Sequence, residues 1–71
     1  MFVGRSLTDE EVAAVAQCVA YKNTVLECDE GHPLRSQLMV ADGLYYVQIG
    51  TMLYGVDHWL KLYRHFTEVF A

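Results

Sequence analysis

The sequence is poor in basic residues, in proline and in cysteine. Five lysine and arginine residues stand against nine aspartate and glutamate residues, for a formal net charge of −4. No basic stripe is present, so we expect no direct binding to nucleic acid. With one proline, no low-complexity run and 54% hydrophobic residues, the composition argues against intrinsic disorder.

A long uninterrupted apolar run is also missing. The most apolar part, residues 38–54, is broken by Asp42, Gln48 and two glycines, so no membrane span is predicted. The first residues lack a basic region followed by an apolar core, so no secretory leader is expected. We therefore predict a soluble, cytoplasmic protein formed by one small domain, residues 1–71.

Motifs for catalysis are absent from the sequence. Cys18 and Cys28 are the only cysteines. If both lie on one helix, they are about 15 Å apart, too far for a disulfide, and we expect two reduced, partly buried thiols. No serine has a Gly-x-Ser-x-Gly context, and the glycines match no phosphate-binding loop. We therefore expect no enzymatic activity and no cofactor.

Potential metal ligands occur without a metal-binding spacing. Four of them lie close together in the sequence: Cys28, Asp29, Glu30 and His32. Their spacing matches no standard zinc pattern. His58 and His65 are separated by about 10 Å along a helix, too far to share one ion. We therefore predict no metal site.

Two helices are predicted from their caps and periodicity. Thr8 and Glu11 have the spacing of a capping box, and the helix is predicted over 8–28 with Gly31 as its stop. Asp57 is a good N-cap for a second helix over 57–70. The apolar side of this second helix is predicted to hold Trp59, Leu62, Tyr63, Phe66, Val69 and Phe70.

The stretch between the helices holds the strongest hairpin signal, Asp42-Gly43. A type I′ turn at this pair places Ala41 opposite Leu44 and Leu38 opposite Val47. One hairpin face is then almost wholly apolar and the other is mixed. A slip of one residue would exchange the two faces, so this pattern supports the register.

An alternative interpretation is a three-helix bundle in which Pro33 opens a long helix that Gly55 closes. Gly43 and Gly50 would then lie inside the helix at about 1 kcal/mol each relative to alanine. The valines and tyrosines favour strands instead. We therefore predict an α+β fold, α-β-β-α, with two helices packed on one face of a hairpin that dimerisation completes.

The most informative surface is the hairpin face predicted to point away from the helices. It is expected to carry Met39, Leu44, Tyr46, Met52 and Tyr54. Tyrosine and methionine are enriched at protein interfaces, and a two-stranded sheet leaves two open edges. These residues are the predicted partner-binding anchors, unless a lead-in strand or loop covers this face.

An acidic cluster follows the first helix, where the helix dipole favours cations. Glu27, Asp29 and Glu30 are either a solvated turn or a patch that contacts a basic partner. The pattern favours a small acidic protein-binding module that acts as an inhibitor, adaptor or regulator of a larger macromolecule. Phage-encoded antagonists of host systems are chains of this type. The alternative is a homodimeric or larger scaffold protein.

Overall fold

The computed structural model describes residues 3–70, and it describes side chains for residues 3–64. The elements are α1 (Asp9–Val25), β1 (Ser36–Ala41), β2 (Leu44–Ile49), β3 (Met52–Tyr54) and α2 (Asp57–Phe70). The strands form one antiparallel sheet in the order β1-β2-β3. The predicted α+β class and the helix–strand order are confirmed, and the three-helix bundle does not fit. Over the described residues, neither helix is long and apolar enough to cross a membrane.

The β1–β2 hairpin has the predicted turn and register. Asp42 and Gly43 have φ values of 52° and 76°, the two positive angles that a type I′ turn needs. Ala41 lies opposite Leu44, and Leu38 lies opposite Val47. Because the register is as predicted, the apolar face of the hairpin meets the helices.

The third strand was not predicted. Gly50 and Thr51 form a second two-residue turn, and Gly50 has a φ of 61°, as in a type II′ turn. Ile49 is thereby paired with Met52. Directly opposed side chains lie on the same face of a sheet. Met52 and Tyr54 therefore share the helix side with Ile49, and the prediction that they point away from the helices is wrong.

The amino-terminal segment joins the sheet beside β2. The N–H of Arg5 donates to the Tyr45 carbonyl at 3.1 Å, and the N–H of Tyr45 donates to the Arg5 carbonyl at 2.7 Å. The Arg5 guanidinium also pairs with the carboxylate of Asp57 at the start of α2. The lead-in segment thus extends one edge of the sheet at Arg5.

Helix α1 starts as predicted and ends earlier than predicted. Both hydrogen bonds of the capping box join Thr8 and Glu11. The last helical residue is Val25, and the backbone turns at Glu27, which has a φ of 54°. Gly31 is therefore not the stop.

A Schellman motif closes the helix. The N–H of Glu27 donates to the carbonyl of Thr24 at 3.2 Å, and the N–H of Cys28 donates to the carbonyl of Asn23 at 2.8 Å. Cys28 therefore lies off the helix, so the helical spacing assumed for the two cysteines is wrong. Cys18 and Cys28 are both buried and free.

The core lies between the helices and the helix-facing side of the sheet. Its buried members are Val15, Cys18, Val19, Val47, Val56, Trp59 and Leu60. Val47 comes from β2 and packs in one cluster with residues of both helices, so both helices cover the same sheet face. Val15, Val47 and Val56 are fully buried.

Helix α2 begins at Asp57, so Val56 holds the capping position that was predicted for Asp57. The N–H of Leu60 donates to the carbonyl of Val56 at 3.1 Å, which closes the first turn. Trp59 is buried, and Leu62 and Tyr63 are partly buried, as the amphipathic pattern predicts. The side chains of His65, Phe66, Val69 and Phe70 lie outside the described residues.

Candidate functional site

The outer face of the sheet keeps three of the five predicted anchors. Met39, Leu44 and Tyr46 lie on this face, and Met39 is directly opposite Tyr46. All three are partly buried rather than fully exposed. Leu53 joins them because it lies opposite Gln48. The three predicted anchors therefore offer a partner less free apolar surface than the sequence suggested.

A more exposed apolar surface lies on the opposite side of the sheet. A groove of about 460 Å³ separates the carboxyl-terminal part of α1 from the start of α2. We call this surface the apolar groove. Its apolar lining includes Tyr21, Val25, Leu26, Ile49, Trp59 and Leu62, and Lys22 and His58 also line it. Tyr21, Val25 and Leu26 are 60%, 57% and 56% exposed.

The groove exists because α1 extends past the start of α2. The thiol of Cys18 lies 3.6 Å from the carbonyl oxygen of Trp59, which places the start of α2 beside the middle of α1. From there α2 runs towards Glu11, with which Leu60 and Arg64 line a shallow cleft. The last turns of α1 are therefore left uncovered by α2.

Met52 lies on β3 beside the apolar groove, next to the lining residue Ile49. It is 59% exposed and lies opposite Ile49, which lines the groove. Tyr54 lies on the same face, opposite Val47, and is 45% exposed. Two of the predicted anchors thus lie on the face of the sheet that carries the groove.

The acidic cluster divides between two surfaces. Glu27, Asp29 and Glu30 are all exposed, and Glu27 directly follows the groove residue Leu26. Glu30 instead lines a concave surface of about 430 Å³ beside β1, where Arg35 also lies. Glu27 and Asp29 are therefore the predicted acids that follow the end of the groove.

The loop that carries these acids is held by hydrogen bonds. The N–H of His32 donates to the carbonyl of Asp29 at 2.9 Å. The guanidinium of Arg35 donates to the carbonyl of Cys28 at 2.7 Å. These bonds use backbone carbonyls and not the carboxylates of Glu27 and Asp29. Both residues are exposed to solvent.

Asn23 fastens α1 to β1, and sequence reasoning missed this role. Its side-chain amide donates to the Ser36 carbonyl at 2.9 Å, and its carbonyl accepts from the Ser36 N–H at 2.9 Å. Both residues are buried. The sequence does contain an indication of this role, because Asn23 continues the four-residue spacing of Val15 and Val19 and so is a polar residue on the buried side of the helix.

The described side chains form no metal-binding cluster, and the thiol of Cys18 is not activated. Within residues 3–64, no three His, Cys, Asp or Glu side chains are grouped so that they could hold a metal ion. Burial raises the pKa of the Cys18 thiol above its ordinary value. A raised pKa disfavours the thiolate, which is the nucleophilic form of cysteine.

Comparison with family models, with curated proteins and with solved structures gives no match to this chain. Function therefore has to be argued from the chemistry of the surfaces, since a fold alone does not specify it. The apolar groove and the open edge of the sheet are the two surfaces that offer such an argument.

Proposed function

We propose that the protein is a non-enzymatic protein-binding module that regulates a larger protein, as an inhibitor or adaptor. In this proposal a segment of the larger protein docks in the apolar groove. The observation that supports this proposal is the uncovered end of α1, where Tyr21, Val25 and Leu26 are each more than half exposed. Contiguous exposed apolar surface on a small soluble domain marks an interaction site. The two free, buried thiols suit a reducing compartment such as the cytoplasm.

The size of the apolar contribution indicates what else the partner must supply. Burying the exposed halves of Tyr21, Val25, Leu26 and Met52 contributes about 1 kcal/mol for each side chain. Their sum is roughly half of the ~8 kcal/mol that corresponds to micromolar affinity. The partner's own buried apolar surface and its polar or charged contacts must therefore supply the remainder and also offset the cost of association.

The charge distribution supports a proposal for the chemistry of that partner. Two cations stand against six acids before residue 33, whereas three stand against three after it. Glu27 and Asp29 are exposed beyond the end of the groove. A fitting partner segment is apolar with flanking lysine or arginine residues, because opposite charges speed association and fix orientation.

Met52 and Leu53 allow the two sheet faces to be compared with matched variants. They are neighbours on β3, they are 59% and 43% exposed, and they point to opposite faces. We expect Met52→Glu to lose the bound partner and Leu53→Glu to keep it. The measurement is affinity capture from the source cells with quantitative mass spectrometry, and circular dichroism confirms that both variants fold.

The opposite pattern would overturn the proposal. If Leu53→Glu loses the partner and Met52→Glu keeps it, the partner binds the outer face with Met39 and Tyr46. If both variants capture the same proteins as the parent chain, the partner contacts neither face of the sheet at β3, and the docking contact proposed for Met52 is wrong.

A second candidate function is a homo-oligomeric structural or scaffold protein. It is favoured by a different observation, the outer edge of β1, with which no described strand pairs. A sedimentation measurement tests this second candidate, since a scaffold must self-associate when pure. The capture experiment with Met52→Glu and Leu53→Glu tests partner binding independently of self-association.

A further inference from the structure

Beyond Ser36, the outer edge of β1 lacks the features that usually prevent an edge strand from pairing with another strand. β1 lies at one side of the sheet, and within residues 3–64 no other segment pairs with its outer side. Proteins usually protect such edges with charges, prolines or bulges, or cover them with a helix or loop. Here α1 covers the Ser36 end of the edge through Asn23. The sequence of β1, Ser-Gln-Leu-Met-Val-Ala, contains no charge and no proline, and its pairing with β2 is continuous.

The hydrogen bonds already described determine which groups of β1 point outwards. In an antiparallel pair, opposed residues alternate between bonded and non-bonded pairs. Tyr45 gives both its backbone groups to Arg5, so it and the opposing Val40 form a non-bonded pair. Ser36 gives both its backbone groups to Asn23, so it also points away from β2.

These observations agree on one pattern of alternation along the strand. Ser36, Leu38 and Val40 direct their N–H and C=O groups outwards, whereas Gln37 and Met39 direct theirs towards β2. Asn23 already occupies the groups of Ser36. The open part of the edge therefore consists of the backbone groups of Leu38 and Val40.

We propose that a second copy of the chain pairs antiparallel with this edge, about a two-fold axis at Met39. Leu38 then exchanges both backbone hydrogen bonds with Val40 of the second copy, and Val40 does so with Leu38 of the second copy. Such a pairing continues the sheet across both chains and leaves neither of these residues with unpaired backbone groups.

Other symmetric registers are excluded by features of the same strand. An axis at Leu38 would pair Ser36 with Val40, but the backbone of Ser36 is already bonded to Asn23. An axis at Val40 would pair Leu38 with Asp42, which has a φ of 52° and belongs to the turn. An axis at Met39 is compatible with every described hydrogen bond.

Charge and shape favour a second copy over an unrelated strand. In this register Arg35, just before β1, lies at the same end as Asp42 of the second copy, so opposite charges meet at both ends of the pairing. The concave surface beside β1 is lined on the α1 side by the small, exposed Ala16 and Ala20, which leave space for an incoming strand.

This inference does not rest on the apolar groove, which uses another face of α1. Met52→Glu therefore leaves the proposed dimer intact, and loss of dimerisation leaves the groove intact. Failure of one proposal is thus distinguishable from failure of the other.

The first test compares two substitutions at Val40. Val40→Pro removes an N–H that points outwards and leaves the β1–β2 hydrogen bonds in place, since proline is tolerated on edge strands. Val40→Thr keeps the N–H. We expect sedimentation equilibrium to give twice the mass of one chain for the parent protein and for Val40→Thr, and half that mass for Val40→Pro. A monomeric parent protein, or a dimeric and folded Val40→Pro, would overturn the proposal.

The second test reads the register directly and stays informative if Val40→Pro unfolds. Opposed residues of a non-bonded pair have Cα atoms about 4.5 Å apart, within disulfide range. Met39→Cys should therefore form a disulfide-linked dimer on mild oxidation. In Gln37→Cys the two new thiols are about 13 Å apart, because position 37 faces position 41 of the second copy. Cross-linking that is equal for the two variants contradicts the Met39 axis.

Discussion

At the scale of single residues, Gly50 in the second turn packs closely against Pro33 in the loop that precedes β1. A Cβ atom at this position would lie 3.1 Å from the carbonyl oxygen of Pro33, and the residue has a φ of 61°. Gly43 also has a positive φ, 76°, but a Cβ there would meet nothing within 4 Å. Gly43 therefore requires glycine for its backbone conformation alone, whereas Gly50 requires it for its backbone conformation and for the close contact with Pro33.

Alanine substitutions at these glycines should differ in their cost. Gly43→Ala is expected to lower the free energy of unfolding by about 1 kcal/mol, since it meets only the left-handed backbone. Gly50→Ala should cost about 2 kcal/mol or more, because it adds the clash with Pro33 to the same strain. Urea unfolding followed by Trp59 fluorescence measures both. Equal losses would show that the Pro33 contact relaxes without cost.

Glu27 shows why the end of α1 was misplaced from the sequence. Glycine is the usual residue in the left-handed position after a helix, so Gly31 was the expected stop. A glutamate in that conformation costs on the order of 1–2 kcal/mol, and local sequence does not announce it. The burial of Cys28 and the two bonds of the Schellman motif offset this cost. The burial of Cys28 is a tertiary contribution that a local pattern does not contain.

At the scale of elements, the start of α1 is the part most fully predicted from the sequence. The backbone N–H of Thr8 donates to Glu11, and this bond holds the pKa of the Glu11 carboxyl below its ordinary value of 4.5. The Thr8 hydroxyl and Arg5 act in the same direction. A carboxyl whose folded pKa is depressed contributes stability above its unfolded pKa and loses it as pH falls through the folded pKa.

The capping box should therefore weaken on acidification. At neutral pH the parent protein is expected to be more stable than Glu11→Gln, and the difference should shrink as pH falls below 4.5. Thermal unfolding of both proteins across a pH series measures this difference. A gap that stays constant down to pH values below the carboxyl range would show that the charge of Glu11 is irrelevant to the cap.

The β1–β2 hairpin was predictable because its strands are long, whereas β3 was not predictable because it is short. Asp42-Gly43 is flanked by two strands that together form one almost wholly apolar face and one mixed face, so its register is strongly specified. Gly50-Thr51 leads into β3, which has only three residues, all exposed. Missing this second turn reversed the faces assigned to Met52 and Tyr54. The groove depends on where α2 begins relative to α1, which sequence periodicity does not reveal.

The contact between α1 and β1 depends on Asn23. Asn23→Ala leaves the buried N–H and C=O of Ser36 without partners, and we expect a loss of about 2–4 kcal/mol in the free energy of unfolding. Thr24→Ala is the matched control, since Thr24 is exposed and its hydroxyl bonds within the helix to the Ala20 carbonyl. That control should change stability by about 0.5 kcal/mol or less. Equal effects measured by urea unfolding would contradict the role of Asn23.

At the scale of the whole molecule, the small core leaves little margin for such losses. A chain of this length rarely gains more than about 3–5 kcal/mol from one core, so Asn23→Ala would remove most of it. Binding of a partner or of a second copy stabilises the folded state by mass action. Self-association at β1 would therefore stabilise the folded state as well as form the dimer.

The two proposed surfaces are also compatible with each other. The apolar groove and the edge of β1 lie on different faces of α1, so one chain can pair with its copy and still offer the groove. A dimer then presents two grooves, and a target with two suitable segments gains affinity from simultaneous engagement.

The bridge between Arg5 and Tyr45 has a consequence for the kinetics of the molecule. It joins the amino-terminal segment to the middle of the chain, so forming it closes a long loop, whereas α1 and the two hairpins form from local contacts. The bridge is a single pair on the edge of β2, so it opens with less free energy than the strands beside it. We therefore expect hydrogen exchange at the Tyr45 amide to proceed by detachment of the lead-in segment alone. Each such opening exposes the backbone of β2 at Tyr45, on the side where β3 pairs.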